Sequence, residues 1–403
     1  MAVDTKNWRS QRLGRLGSSI FSEVAGWKRE AIAEGQSIID LGIGSPDQPP
    51  QMAIREVLSE SALQADKYAY PVTKNDLPFR QVAADWMQHR FAVSLDPADE
   101  IVALSGSQDG LAHLALAICD TGDAALIPDP GYPIYAASLA LAGVEPIMIP
   151  LTAEHQFLPN LEDIREEEWN RATFILLNYP NNPLSAVANI TFFEQLVAKA
   201  KQYQLLIVHD LAYSELVFDG YEPPSILQVA GAKEIAVEFH SLSKSFNMAG
   251  CRIGFLAGNR AVVQALSELK ANIDYGIFEP VQDAAIVALQ RAMQQPKTET
   301  VGKLYERRRD VFLQALLEEG WYIEPPKATM FIWAPLPEVD WIYEEPYNSV
   351  TFTQQLMKRA GVAVIPGIAF GNSGEGYVRI GLVESEENLL LAAKRIGMFI
   401  RGE

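Results

Sequence analysis

A chain of 403 residues with 48% hydrophobic and 21% charged side chains has ordinary globular composition and is long enough for two or three packing units of roughly 150 residues each. Its formal charge of -18 excludes the basic face that a nucleic acid or an anionic membrane demands, so an anionic ligand must be caught by local donors such as a helix N-terminus, a few Arg or a Lys. Two isolated cysteines, Cys119 and Cys251, exclude a disulfide framework and a cysteine zinc site, and point to a reducing, cytoplasmic setting.

The chain opens with Lys6, Arg9, Arg12 and Arg15 and no apolar stretch behind them, which is not the pattern of a secretory signal. No run reaches the ~18 apolar residues of a membrane span. From about residue 50 to 290, short apolar runs alternate with helix-period segments, as in crossover units around a parallel sheet. Ile101–Leu104 is the first such run; Ser105-Gly-Ser-Gln-Asp-Gly110 then leads into a helix near Leu111. Small residues there let backbone N–H groups face an anion, although such a turn is commonly only a turn. Ala124–Ile127 is a second strand, and Glu166-Glu-Glu168 reads as a solvated face.

Thr173–Leu177 runs into Asn178-Tyr-Pro-Asn-Asn-Pro183, a rigid turn with three side-chain amides, and Leu205–Val208 into His209, Asp210 and, one loop on, Tyr213. A carboxylate after four apolar residues is costly to bury without a partner; a helix N-cap is the bland alternative. Ile235–Phe239 is followed by His240-Ser-Leu-Ser-Lys244 and then Arg252. A strand-end lysine among apolar residues with an Arg nearby has its ammonium disfavoured, and a neutral amine is what Schiff-base chemistry requires.

Towards the C-terminus, Arg307–Glu319 is helical, Met330–Trp333 and Tyr377–Ile380 are candidate strands, and a helix closes the chain from about Glu386. The pattern predicts an α/β fold: a large domain, 47–291, with a mostly parallel sheet flanked by helices, and a smaller α+β domain from both chain ends, 1–46 and 292–403. His89, His113, His155, His209 and His240 show no metal-ligand spacing, so no metal is expected.

These residues together resemble fold-type I pyridoxal-phosphate enzymes, and among them the class I/II aminotransferases. The segment that carries most of the likeness is Ser241-Leu-Ser-Lys-Ser-Phe-Asn-Met-Ala-Gly-Cys-Arg-Ile-Gly-Phe255, similar to the family's cofactor-lysine motif with its phosphate-binding Arg. The resemblance implies pyridoxal 5'-phosphate held as a Schiff base on Lys244, which would also shuttle the substrate proton, with Asp210 pairing the pyridine nitrogen. It places Asn182 and Tyr213 on the phenolic oxygen and Tyr132 on the ring face. Gly106, Ser107, Gln108, Ser241, Ser243 and Arg252 would form the phosphate cup, completed by Tyr68 from a neighbouring subunit, so a homodimer with shared sites is implied. Arg379 would grip the substrate α-carboxylate, with Asn182 and the backbone at Ile43 and Gly44 facing it.

Leu184-Ser185 and Cys251 depart from the family pattern at positions read as packing, and Ser18-Ser-Ile-Phe21 stands where diaminopimelate aminotransferases often carry Pro-Pro-Tyr. Lys270–Phe278 and Gln282–Ile286 look like the branch of LL-diaminopimelate and alanine aminotransferases. The expected substrates are therefore an amino acid and a 2-oxo acid, with glutamate and 2-oxoglutarate as one pair and LL-diaminopimelate or alanine as the other candidate donor. Fold-type I lyases and cyclopropane-carboxylate synthases share nearly all these residues, and a catalytically silent regulatory homologue is a further alternative.

Overall fold

Seven strands assemble into the large sheet of the computed structural model, which describes residues 8–14, 16, 20–71, 76–294, 301–339, 341 and 347–403. The strands are numbered in chain order from the two-residue strand β1, Ile39–Asp40, which lies outside this sheet. The seven are β2 Ile101–Leu104, β3 Ala124–Asp129, β4 Glu145–Pro150, β5 Ala172–Asn178, β6 Leu206–Asp210, β7 Ala236–Ser241 and β8 Gly254–Gly258. Their order is β2-β8-β7-β6-β5-β3-β4, parallel from β7 to β4, while β8 runs antiparallel to both its neighbours.

Side chains alternate across the strands and both faces are covered, which is why these runs are continuously apolar. Ile175, Leu177 and Ile207 pack with Phe193, Leu196, Trp86 and Leu289 of helices on one face. Leu176, Val208 and Val237 pack with Leu111, Leu114, Leu139 and Leu266 on the other. A second core gathers residues from both chain ends, among them Leu41, Tyr305, Phe312, Phe352, Leu389 and Phe399. Around it stand β9 Phe331–Pro335, β11 Ile365–Pro366 and β12 Tyr377–Gly381 as a small antiparallel sheet, while β1 pairs parallel with β10, Val362–Ala363.

Two strands of the large sheet escaped the sequence reading, as did the two-residue strands β1, β10 and β11. β4 carries Pro146 and Pro150 on a half-exposed edge, and β8 holds two glycines, so neither has a strong strand pattern. The structure also corrects the strand ends. Asn178, Asp210 and Ser241, expected just after their strands, are the last residues within β5, β6 and β7, because the backbone ladder continues regardless of side-chain polarity.

Candidate active site

The carboxyl ends of β5, β6 and β7 open onto a cavity of about 560 Å³, within the range of small-ligand sites. Lys244 enters it from the one-turn helix Leu242–Ser245, started by the Ser241 hydroxyl accepting from the Ser243 N–H at 3.2 Å. Its Nζ donates to the Gly44 carbonyl at 2.5 Å, so the lysine spans from the large sheet to the N-terminal loop. Burial first, then the nearby charges of Arg379 and Arg252, lower the ammonium pKa to about 8.

Asp210 is buried at the end of β6. Tyr135 donates its hydroxyl to Oδ2 at 2.9 Å, while Oδ1 is buried without a partner. Burial raises the pKa of this carboxyl, opposed by the Tyr135 hydrogen bond. A buried, half-satisfied carboxylate facing a cavity suits a cationic N–H donor such as a protonated pyridine nitrogen. Its neighbours are built by the amide-rich turn: Asn178 Nδ2 donates to the Asp210 carbonyl at 2.7 Å, and its Oδ1 accepts from the Asn182 N–H at 2.8 Å. Asn181 thus does turn chemistry, Asn178 ties the turn to the Asp210 backbone, and Asn182 turns its side chain to Arg379.

At the other end of the cavity, Ser107, Gln108, Ser243 and Arg252 stand together. The helix Ser107–Ile118 starts here after Gly106, with no side-chain cap on its first N–H groups. Gly106 has φ +83°, and a Cβ on it would lie 2.6 Å from Arg252 Nη2, so the guanidinium approaches backbone that only glycine can provide. Asp109, in the first turn, would repel an anion; the buried Lys270 pairs with it and also with Asp274. A dianion such as a phosphate monoester fits this cup. Tyr132 lines the cavity and donates to Gln108 Oε1 at 3.1 Å.

Arg379, on β12, closes the third side. Nη1 donates to Asn182 Oδ1 at 3.0 Å and Nη2 to the Gly42 carbonyl at 3.1 Å, while Nε is buried without a partner. The guanidinium lies 4.2 Å from the ring centroid of Phe331 and 4.8 Å from that of Phe370. Burial lowers its pKa to about 10, which leaves it a cation at neutral pH. Tyr213 is buried beside it, and burial raises its phenol pKa.

Ser241, Asn182, Tyr213 and Gly44 also line the cavity, so the sequence-named set converges with three exceptions, of which Gly106 still backs against the Arg252 guanidinium. Among the described residues Ile43 does not line it; its side chain is exposed, and Gly42 makes the backbone contact to Arg379 instead. Tyr68 lies outside it as well, 64% exposed, its hydroxyl donating to the Ala62 carbonyl at 2.7 Å. Ser18 and Ser19 lie outside the described residues, whereas Phe21 lines the cavity. Sequence reasoning missed Tyr135, the partner of Asp210. The proximity of Tyr132 to it in sequence was the one available signal. Ser185 reaches across to β9, its hydroxyl 2.8 Å from both the Thr329 hydroxyl and the Phe331 carbonyl, and so ties the amide turn to the second core.

Comparison with known proteins agrees with this geometry. The family model for aminotransferase class I and II matches residues 36–396. An LL-diaminopimelate aminotransferase 2 of Nostoc sp. (strain PCC 7120) is 43% identical over 96% of this chain and 97% of its own length. The glutamate-pyruvate aminotransferase AlaC of Escherichia coli K12 is 40% identical over 100% of this chain and 96% of its own. Among solved structures, substrate-bound BacF of Bacillus subtilis superposes with a TM-score of 0.91 at 31% identity, covering 98% of each chain. A probable N-succinyldiaminopimelate aminotransferase of Thermus thermophilus gives 0.86 at 39% identity, over 94% of this chain and 99% of its own. The chain therefore belongs to the class I and II aminotransferases, pyridoxal-phosphate enzymes that move an amino group between an amino acid and a 2-oxo acid.

Proposed function

We propose that this enzyme transfers the amino group of an amino acid to 2-oxoglutarate, with Lys244 as the group that holds the cofactor and moves the substrate proton. The observation that carries this reading is Lys244 itself, an amine lowered to about 8 in the same cavity as Asp210 and Arg379. When bound, pyridoxal phosphate supplies an electron sink for the carbanion left by proton loss from the substrate Cα. Asp210 Oδ1 would accept from its ring nitrogen, and Asn182 and Tyr213 would donate to its phenolic oxygen. Tyr132 would cover the ring, and Gly106, Ser107, Gln108, Ser241, Ser243 and Arg252 would hold the phosphate.

Arg379 would take the substrate α-carboxylate, exchanging its Gly42 contact for two parallel hydrogen bonds, with Asn182 fixing the plane of its guanidinium. Lys244, once released from the cofactor, is a base of matched strength for carrying the proton away from Cα. The relatives named for LL-diaminopimelate and for the glutamate-pyruvate pair supply the two candidate donors, diaminopimelate and alanine.

Residues 47–291 are read as the cofactor-binding domain and 1–46 with 292–403 as a small domain. A homodimer is part of the same reading. Leu63, Tyr68, Tyr70 and Tyr275 are 58–85% exposed, and the ring pairs Tyr68–Phe278 and Tyr70–Tyr275 form an apolar patch that a second copy would cover. Tyr68 would then reach the partner's phosphate. The two unpaired cysteines support cytoplasmic residence as part of this reading.

A panel of donors with 2-oxoglutarate tests the substrate reading, with LL-diaminopimelate, alanine and aromatic amino acids read by glutamate release. Turnover with diaminopimelate or alanine is expected; activity confined to aromatic donors would overturn it.

A further inference from the structure

Behind Asp210, on the opposite face of β6, lies a sealed polar cluster that the reaction does not use directly. Glu238 in β7 is fully buried and accepts four hydrogen bonds. Its Oε1 receives Ser225 Oγ at 2.7 Å and His240 Nε2 at 2.9 Å; its Oε2 receives His209 Nδ1 at 2.8 Å and the Ile226 N–H at 2.9 Å. Burial alone would raise this carboxyl, but the bonds from His209 and His240 reverse that and hold its pKa down at about 2.

His209 is the informative member. Besides Glu238, its Nε2 faces the Tyr179 carbonyl oxygen at 3.1 Å. A carboxylate and a carbonyl are both acceptors only, so an imidazole bonded on both sides carries a proton on each nitrogen and a positive charge. The Phe193 ring, at a centroid distance of 4.9 Å, helps to seal it, and the residue has no exposed surface. His240 differs, because its Nδ1 has no partner and one proton satisfies the ring, which packs against Phe255, Trp86 and Phe91. The cluster is then one cation, one anion and one neutral ring, a composition that can be buried.

His209 precedes Asp210 in β6, and it is faced by Glu238 from β7, the Tyr179 carbonyl beyond β5 and the Phe193 ring of the helix Ile190–Tyr203. We propose that His209 is a positioning residue: held doubly protonated between Glu238 and the Tyr179 carbonyl, it supplies the fixed positive charge that keeps the buried Asp210 anionic for the cofactor's ring nitrogen. The inference rests on the reading of Asp210 as that nitrogen's partner. It accounts for a histidine, a glutamate and a second histidine buried where apolar side chains would pack.

Two measurements test it. In folded apo-protein labelled with 15N-histidine, both ring nitrogens of His209 carry protons; one unprotonated nitrogen overturns the proposal. Second, apo-protein is titrated with pyridoxal phosphate and with its carbocyclic analogue, in which CH replaces the ring nitrogen. Asp210→Asn abolishes the wild-type preference for pyridoxal phosphate. His209→Phe and Glu238→Gln each remove roughly tenfold of it, equivalent to one pKa unit on Asp210, while affinity for the analogue holds. Equal losses for both ligands, or an intact preference in both variants, overturn the proposal and leave Asp210 in its role. A preference that survives Asp210→Asn removes the role of Asp210, and the inference falls with it.

Discussion

In the proposed reading, burial turns a common side chain, Lys244, into a reagent. A lysine in water is protonated and cannot attack a carbonyl; desolvation together with Arg379 and Arg252 brings this one to about 8. Cofactor capture by apo-protein should therefore accelerate as pH rises through about 8 and level off above it, because the lowered pKa frees the amine over that interval. A stopped-flow record of the visible absorbance reads this rate, and Lys244→Ala should show no such band at any pH. In the same reading Arg379 acts through shape as well as charge. Arg379→Lys keeps the cation but loses the planar fork and the bond to Asn182, so kcat/KM for amino acids should fall by roughly 10- to 100-fold, the equivalent of one or two charge-assisted hydrogen bonds. Cofactor affinity, measured in the same variant, should hardly change.

At the scale of elements, the site depends on how closely the helix Ser107–Ile118 sits on the sheet. A Cβ on Gly110 would lie 2.5 Å from Phe239 Cε1 and 2.7 Å from Leu104 Cδ1, so the helix rides directly on β2 and β7. Gly110→Val should cost roughly 1–3 kcal/mol by overpacking, visible as a lowered Tm, and should weaken cofactor binding by lifting the helix start away from Arg252. The sequence made the sheet strands legible where apolar residues run unbroken, as in Thr173–Leu177, because burial on both faces demands that pattern. It concealed β8, whose glycines are required by close packing: a Cβ on Gly254 would meet the His240 carbonyl oxygen at 2.5 Å. Most of the site was legible because each strand end delivers its polar residue to one crevice. Tyr135 was not, since a tyrosine inside the apolar helix Ile134–Ala142 looks like core until Asp210 is seen beneath its hydroxyl.

The whole molecule joins a large sheet to a second core made by both chain ends, and the cavity takes Lys244 from one and Arg379 from the other. The proposed dimer was suggested only by resemblance, because an exposed tyrosine such as Tyr68 has no local pattern that separates an interface from ordinary surface. If the proposed dimer forms through the exposed aromatic patch, Tyr275→Glu, which places a charge there, should shift it to monomer in analytical ultracentrifugation and lower activity in proportion. The central claim is that this cavity moves an amino group. It is tested most directly by mixing the loaded enzyme with glutamate alone, in the absence of any acceptor. The account predicts one equivalent of 2-oxoglutarate per site, with the cofactor converted to its amine form and the reaction stopping there. Release of ammonia, or continued turnover without the amine form, would contradict it.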